Sequence, residues 1–159
     1  MLGIFLLGVS LVLSLVQSAY KKHWNVRSFI KTFLGYILLI NVGLTGLMGA
    51  YAHFFKGPEI ARLIGWLPGS PFQLEVAVAN LSYGVLGVLA FWIRGRFWDA
   101  VILGWSIFLL GCFALHLHDY ISYDNTAPYN IGLYIWVYDL ALPLITLGML
   151  FFLRVNKEP

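Results

Sequence analysis

Five stretches of the chain are apolar almost without interruption, and polar residues gather in the short segments between them. The runs extend from about Leu2 to Ala19, Phe29 to Phe54, Phe72 to Ile93, Phe97 to Leu117 and Ile131 to Leu153. Each comes close to the roughly 20 apolar residues a helix needs to cross the hydrocarbon core of a bilayer. Unpaired backbone groups are not tolerated in lipid, so each run is expected to be helical. The pattern predicts an all-α integral membrane protein, a bundle of about five transmembrane helices forming one domain over residues 1–159. The link "IRGR" (Ile93 to Arg96) is so short that the third and fourth helices must be antiparallel neighbours. Before the third run, Pro58 falls at a first helical turn and is followed by Ile60, Ala61, Ile64 and Trp66. That segment predicts a short interfacial helix, closed by Gly65 and the Pro68–Pro71 turn.

Composition strengthens this picture. Hydrophobic residues fill 60% of 159 positions and charged residues only 11%, and mean hydropathy is +0.82. A soluble domain of this size could not cover so much apolar surface. The net charge of +3 comes from basic residues that flank the apolar runs, where they meet head groups and set topology. Nucleic-acid binding is therefore not expected; the lipid bilayer is the partner the composition implies.

The distribution of those charges predicts orientation. The first run has no positive segment before it, while Lys21, Lys22, Arg27 and Lys31 follow it. It reads as a retained span with its N-terminus outside rather than as a signal peptide. The Lys21–Arg27 segment, the Arg94–Arg96 turn and the Arg154/Lys157 tail then share the cytoplasmic face. The Lys56–Pro71 segment and the acidic loop around Asp119 and Asp124 fall outside, with Lys56 and Arg62 weakening the asymmetry without reversing it. The expectation is an N-out, C-in protein of the inner (cytoplasmic) membrane. Trp24, Trp66, Trp92 and Trp98 all fall near predicted interfaces, as an aromatic belt requires.

Small residues predict how helices meet. Gly43, Gly46 and Gly49 recur at every third position of the second helix, and Asn80, Gly84 and Gly87 lie along one side of the third. Such stripes let backbones approach closely in lipid, within one bundle or between protomers. A flat cavity floor is the functional alternative.

Among the seven acidic residues, Glu75 and Asp139 lie inside the third and fifth predicted spans. Intramembrane carboxylates are expensive and mark either a functional site or a paired structural one. His116, near the end of the fourth helix, shares a face with Cys112, Asp119 and Tyr120, whereas His118 points elsewhere. Asn130 begins the fifth helix, where it could cap exposed amides. Pro143, four residues after Asp139, has no N–H to offer the Asp139 carbonyl, so the helix is disturbed there. Glu75, His116 and Asp139 could thus meet in the outer half of the bundle, as metal ligands or as a proton-linked ligand pocket. The structural alternative is a buried network that fixes helix register. Any cofactor is left open: a metal ion on those three groups is one expectation, and a haem between His53 and His116 is a weaker one. Cys112, mid-helix and alone, reads as a small packing residue. The sequence contains no HExxH, GxSxG, P-loop or GxGxxG, so an enzyme is the less expected reading.

The block "IGWLPGSPFQLEVAVANLSYGVLG" (Ile64 to Gly87), then His116, "NTAPYNIG" (Asn125 to Gly132) and "DLALP" (Asp139 to Pro143), resembles an uncharacterised family of small prokaryotic multi-span membrane proteins. The likeness covers about the last hundred residues. It implies a pattern falling on Trp66, Gln73, Glu75, Asn80, His116, Asn130 and Asp139, and it implies no activity. Leu115 and Tyr129 depart from the family's glycines; their bulk would narrow any pocket or mark a divergent member. Taken together, the expected function is binding of an ion, metal or small ligand in a polar pocket built from Gln73, Glu75, Asn80, His116, Asn130 and Asp139. The rival readings are an accessory subunit of a larger complex or homo-oligomer, and a membrane enzyme acting on a lipid or quinone.

Overall fold

The computed structural model describes residues 2–21 and 25–156; Lys22, Trp24 and Lys157 lie outside the described residues. Five helices are long and apolar enough to cross a membrane: α1 (Leu2–Tyr20), α2 (Val26–Phe55), α4 (Phe72–Ala90), α5 (Arg96–Tyr123) and α6 (Pro128–Val155). A short helix, α3 (Gly57–Ile64), precedes α4, as the Pro58 pattern requires. No strand occurs among the described residues. The protein is an all-α, multi-pass membrane bundle.

The C-terminal ends of α4 and α5 differ from expectation for visible reasons. α4 stops at Ala90 rather than Ile93, because the link must turn through Gly95 at φ 76°. α5 runs on to Tyr123, so His118, Asp119 and Tyr120 are helical. Nothing between Leu117 and Tyr123 breaks a helix, and Asp124 closes it in the left-handed region at φ 52°. At 1.5 Å per residue, α5 is about 42 Å long and outreaches a hydrocarbon core of about 30 Å.

The tightest helix contact is the seam of small residues between α2 and α4. A Cβ on Gly46 would lie 2.8 Å from Gly84 Cα, and one on Gly87 would lie 2.5 Å from Gly43 N. The two stripes therefore dock within one chain, backbone against backbone. Gly49 completes the row opposite the Asn80 side chain.

α1 inverts the soluble rule. Its buried residues are Gly3, Ser10, Ser14 and Ser18, while Leu11, Val12 and Val16 are exposed to the lipid side. Apolar side chains lose nothing by facing lipid, so small polar residues make the contact. Ser10 Oγ donates to Asn41 Oδ1 at 2.7 Å, and Asn41 Nδ2 donates to Tyr138 Oη at 2.7 Å. Both partners lie in π-helical segments, Ile37–Leu44 and Trp136–Ala141. The second of these ends just before Pro143, which is the form the expected disturbance takes.

The other half of the bundle is an ordinary apolar core of Leu34, Leu38, Trp98, Ile102, Trp105 and Leu142. Trp98 corrects the belt expectation: it is 3% exposed, and its indole N–H donates to Ala90 O at 2.6 Å. That carbonyl, freed where α4 ends, draws the indole inward; Trp92 remains exposed. Beside it, Arg154 joins α5 and α6 through Asp99 (2.8 Å from Nε) and Gly95 O (2.7 Å from Nη2). Arg27 reaches from α2 to Leu153 O at 2.9 Å. This is the arginine end; the connections carrying α3 and residues 124–127 form the opposite end.

Candidate ligand cavity

Near the end opposite the arginines, the helices line a half-open cavity of about 330 Å³. A smaller one of about 120 Å³ lies beside it and shares Thr45, Gly49, His53, Asn80 and Asp139 in its wall. α2 contributes a row spaced at four residues, Thr45, Gly49 and His53, that continues Asn41. α5 contributes Phe108, Cys112 and His116, and α6 contributes Tyr134, Ile135 and Asp139. α3 covers the cavity with Ile60 and Ile64, and Trp66 follows. Most of this wall is apolar, with a few polar groups among it.

Asp139 is 6% exposed and borders both cavities. Among the described residues, its carboxylate takes no hydrogen bond and no ion pair. Buried carboxylates are normally paired or hydrogen-bonded, because desolvating one without compensation costs several kcal/mol. This one faces space instead.

His116 is held by an arrangement that fixes its proton. Asn130, fully buried, donates from Nδ2 to His116 O at 3.1 Å and to Asn125 O at 2.8 Å. Two carbonyl acceptors leave the amide only one orientation, so Oδ1 is the atom 2.8 Å from His116 Nδ1. An amide oxygen only accepts, so Nδ1 carries the hydrogen. In the neutral ring, Nε2 keeps its lone pair. His53 is tied in a parallel way, with Nδ1 2.6 Å from Gln73 Oε1.

A latch closes the cover. Trp66 stacks on the His116 ring with centroids 5.7 Å apart, and its N–H donates to Asp119 Oδ2 at 3.0 Å. Asn125 donates to the same oxygen at 2.5 Å and to Ile64 O at 2.9 Å. Gly65 ends α3 at φ 86°, where a Cβ would collide with Asn125 Oδ1. One short cluster thus joins α3, α5 and the start of α6 above the cavity.

The residues singled out from sequence divide into three groups. Asn80, His116 and Asp139 line the cavity. Gln73 and Asn130 stand behind it, each holding a histidine; Asn130 clamps rather than caps. Glu75 is exposed and lines neither cavity. The buried side of α4 runs through Gln73, Ala77 and Gly84, and two residues of helix rotate Glu75 away from it. The three-ligand metal site is corrected accordingly. Among the described residues, no group of three or more His, Cys, Asp or Glu could hold a metal ion.

Cys112 borders the cavity rather than only packing. Leu115 and Tyr129 also stand in the wall, the place where their bulk is expected to matter. Sequence reasoning missed Thr45 and Tyr134 and related His53 only to His116. The four-residue spacing of Asn41, Thr45, Gly49 and His53 was the available signal, overshadowed by the three-residue glycine stripe.

A cover helix, a glycine seam and a mostly apolar cavity bordered by Asp139 belong to a small multi-pass helical membrane protein. Over residues 1–159 the chain matches the model of a family of unknown function (DUF6790), and it belongs to that family. The match takes in α1 and the basic segment after it, so the likeness extends beyond the last hundred residues. No curated protein and no solved structure matches the chain.

Proposed function

We propose that the protein binds a small molecule in the cavity beneath α3, with Asp139 as its charged contact and His116 and Asn80 as polar ones. The observation that carries this reading is the Asp139 carboxylate, buried against a cavity and without a partner among the described residues. An intramembrane carboxylate held only for packing would be matched by a donor from the same chain. A volume of about 330 Å³ falls at the lower end of the roughly 300–1,000 Å³ typical of small-molecule pockets, which are likewise mostly apolar with a few convergent polar groups. Water alone gains little from walls such as Phe72, Val76 and Leu109.

Orientation follows from charge in the same reading. Lys21, Arg27, Lys31, Arg94, Arg96 and Arg154 gather toward the arginine end, whereas Asp119 and Asp124 lie toward the cavity end. The positive-inside rule then puts the cavity on the outer side of a cytoplasmic membrane.

Native mass spectrometry of gently purified protein tests the proposal. Wild type is expected to carry a small-molecule adduct that Asp139→Leu lacks while remaining folded. Identical spectra, both free of adduct under conditions that keep lipids bound, would remove the support for a ligand site.

A further inference from the structure

We propose that the ligand is an organic cation, an ammonium group on an apolar body; this rests on the cavity being a ligand site. The polar lining is weighted toward acceptors, with the hydroxyls of Tyr129 and Tyr134 and the thiol of Cys112 as its neutral donors. Asp139 offers a carboxylate, and His116 offers the Nε2 lone pair left by its bond to Asn130. Asn80 uses its Nδ2 on Val76 O at 2.9 Å, which leaves Oδ1 as the acceptor. Thr45 donates its hydroxyl hydrogen to Asn41 O, leaving oxygen lone pairs. Among the described residues, no Lys or Arg lines the cavity. An anion would meet the Asp139 carboxylate with no cation in the wall to offset it. A donor cation satisfies the carboxylate and the lone pairs beside it.

Size and wall chemistry exclude the simplest cations. About 330 Å³ is far larger than a bare ion, and ion sites need several converging oxygens or His, Cys, Asp and Glu ligands. No such metal-ligand group exists among the described residues. The remaining wall favours an apolar body, and Trp66, Phe72, Phe108 and Tyr134 supply aromatic rings of the kind that attract ammonium groups. Asp139 lies in the π-helical stretch Trp136–Ala141 of α6, beyond the extended break at Gly132 that separates it from the Pro128 end. The charged group would thus be received deep in the cavity and its body nearer the α3 cover.

Calorimetry in nanodiscs at pH 7, with empty discs as the blank, compares phenethylammonium with its neutral isostere 2-phenylethanol. Charge-assisted hydrogen bonds contribute roughly 1.5–3 kcal/mol, so wild type is expected to prefer the ammonium about tenfold or more. Asp139→Asn should bring the two probes within about threefold of each other, while the alcohol's own affinity changes little. Ala52→Phe, at the cavity wall, should weaken both. Equal binding of the two probes to wild type, weakened by Ala52→Phe, overturns the cationic class but keeps the ligand cavity. An ammonium preference that survives Asp139→Asn overturns the role of Asp139. Binding of neither probe to wild type overturns the cation proposal and the cavity reading together.

Discussion

Gly46→Leu is expected to leave no folded bundle. A Cβ there already falls 2.8 Å from Gly84 Cα, 2.9 Å from Gly84 N and 3.0 Å from Asn80 O, all backbone atoms that no rotamer change can move aside. α2 and α4 would have to separate along their whole seam, which also holds Gly43 against Gly87. Overpacking a core costs about 1–3 kcal/mol when side chains can yield, so the cost here exceeds about 3 kcal/mol, a large share of a typical 5–15 kcal/mol stability. Gly111 and Gly148 sit in helices where an added Cβ would meet nothing within 4 Å. Gly111→Ala and Gly148→Ala should therefore fold normally, with up to about 1 kcal/mol of added helix stability. Size-exclusion profiles and thermal unfolding of the three variants check the contrast. A folded Gly46→Leu protein would mean that the seam is looser than these contacts require.

Asn130→Ala is expected to have the second largest effect. The substitution strips partners from His116 Nδ1 and from the carbonyls of His116 and Asn125 in one step. Each buried group left unsatisfied costs about 1–3 kcal/mol, so a loss on the order of 3 kcal/mol is expected, near 10 °C in melting temperature. Because Asn130 also sets which ring nitrogen of His116 holds the proton, ligand affinity should fall in whatever protein still folds. A variant that melts like wild type would show that the clamp contributes nothing to the fold.

Much of this architecture can be read from the chain because lipid imposes simple rules. Uninterrupted apolar runs located all five spans, and the glycines marked where α2 and α4 meet, since only small residues allow that approach. The site was less legible. His116 and Asp139 were recognisable as polar groups on costly ground, and Asn80 through its place beside the glycines. Glu75 had the same apparent credentials, yet helix rotation carries it to the exposed side of α4. Apolar neighbours surround both faces of a transmembrane helix, so hydrophobic periodicity does not say which face is inward. Gln73 and Asn130 were singled out as ligand groups but hold the histidines instead, a distinction that depends on side-chain direction. Trp98 was misplaced for a similar reason: its partner is a carbonyl exposed only because α4 ends three residues early.

The measurement that bears most directly on the ligand site is the melting temperature of Asp139→Asn and Asp139→Leu against wild type, each stripped of bound small molecules. A carboxylate kept for a ligand is held at the expense of stability, because it lacks compensation within the chain. Both variants are therefore expected to melt at or above the wild-type temperature, with Asp139→Leu the higher of the two. A drop of several degrees in both would contradict this, making Asp139 a structural group whose partner lies within the bundle.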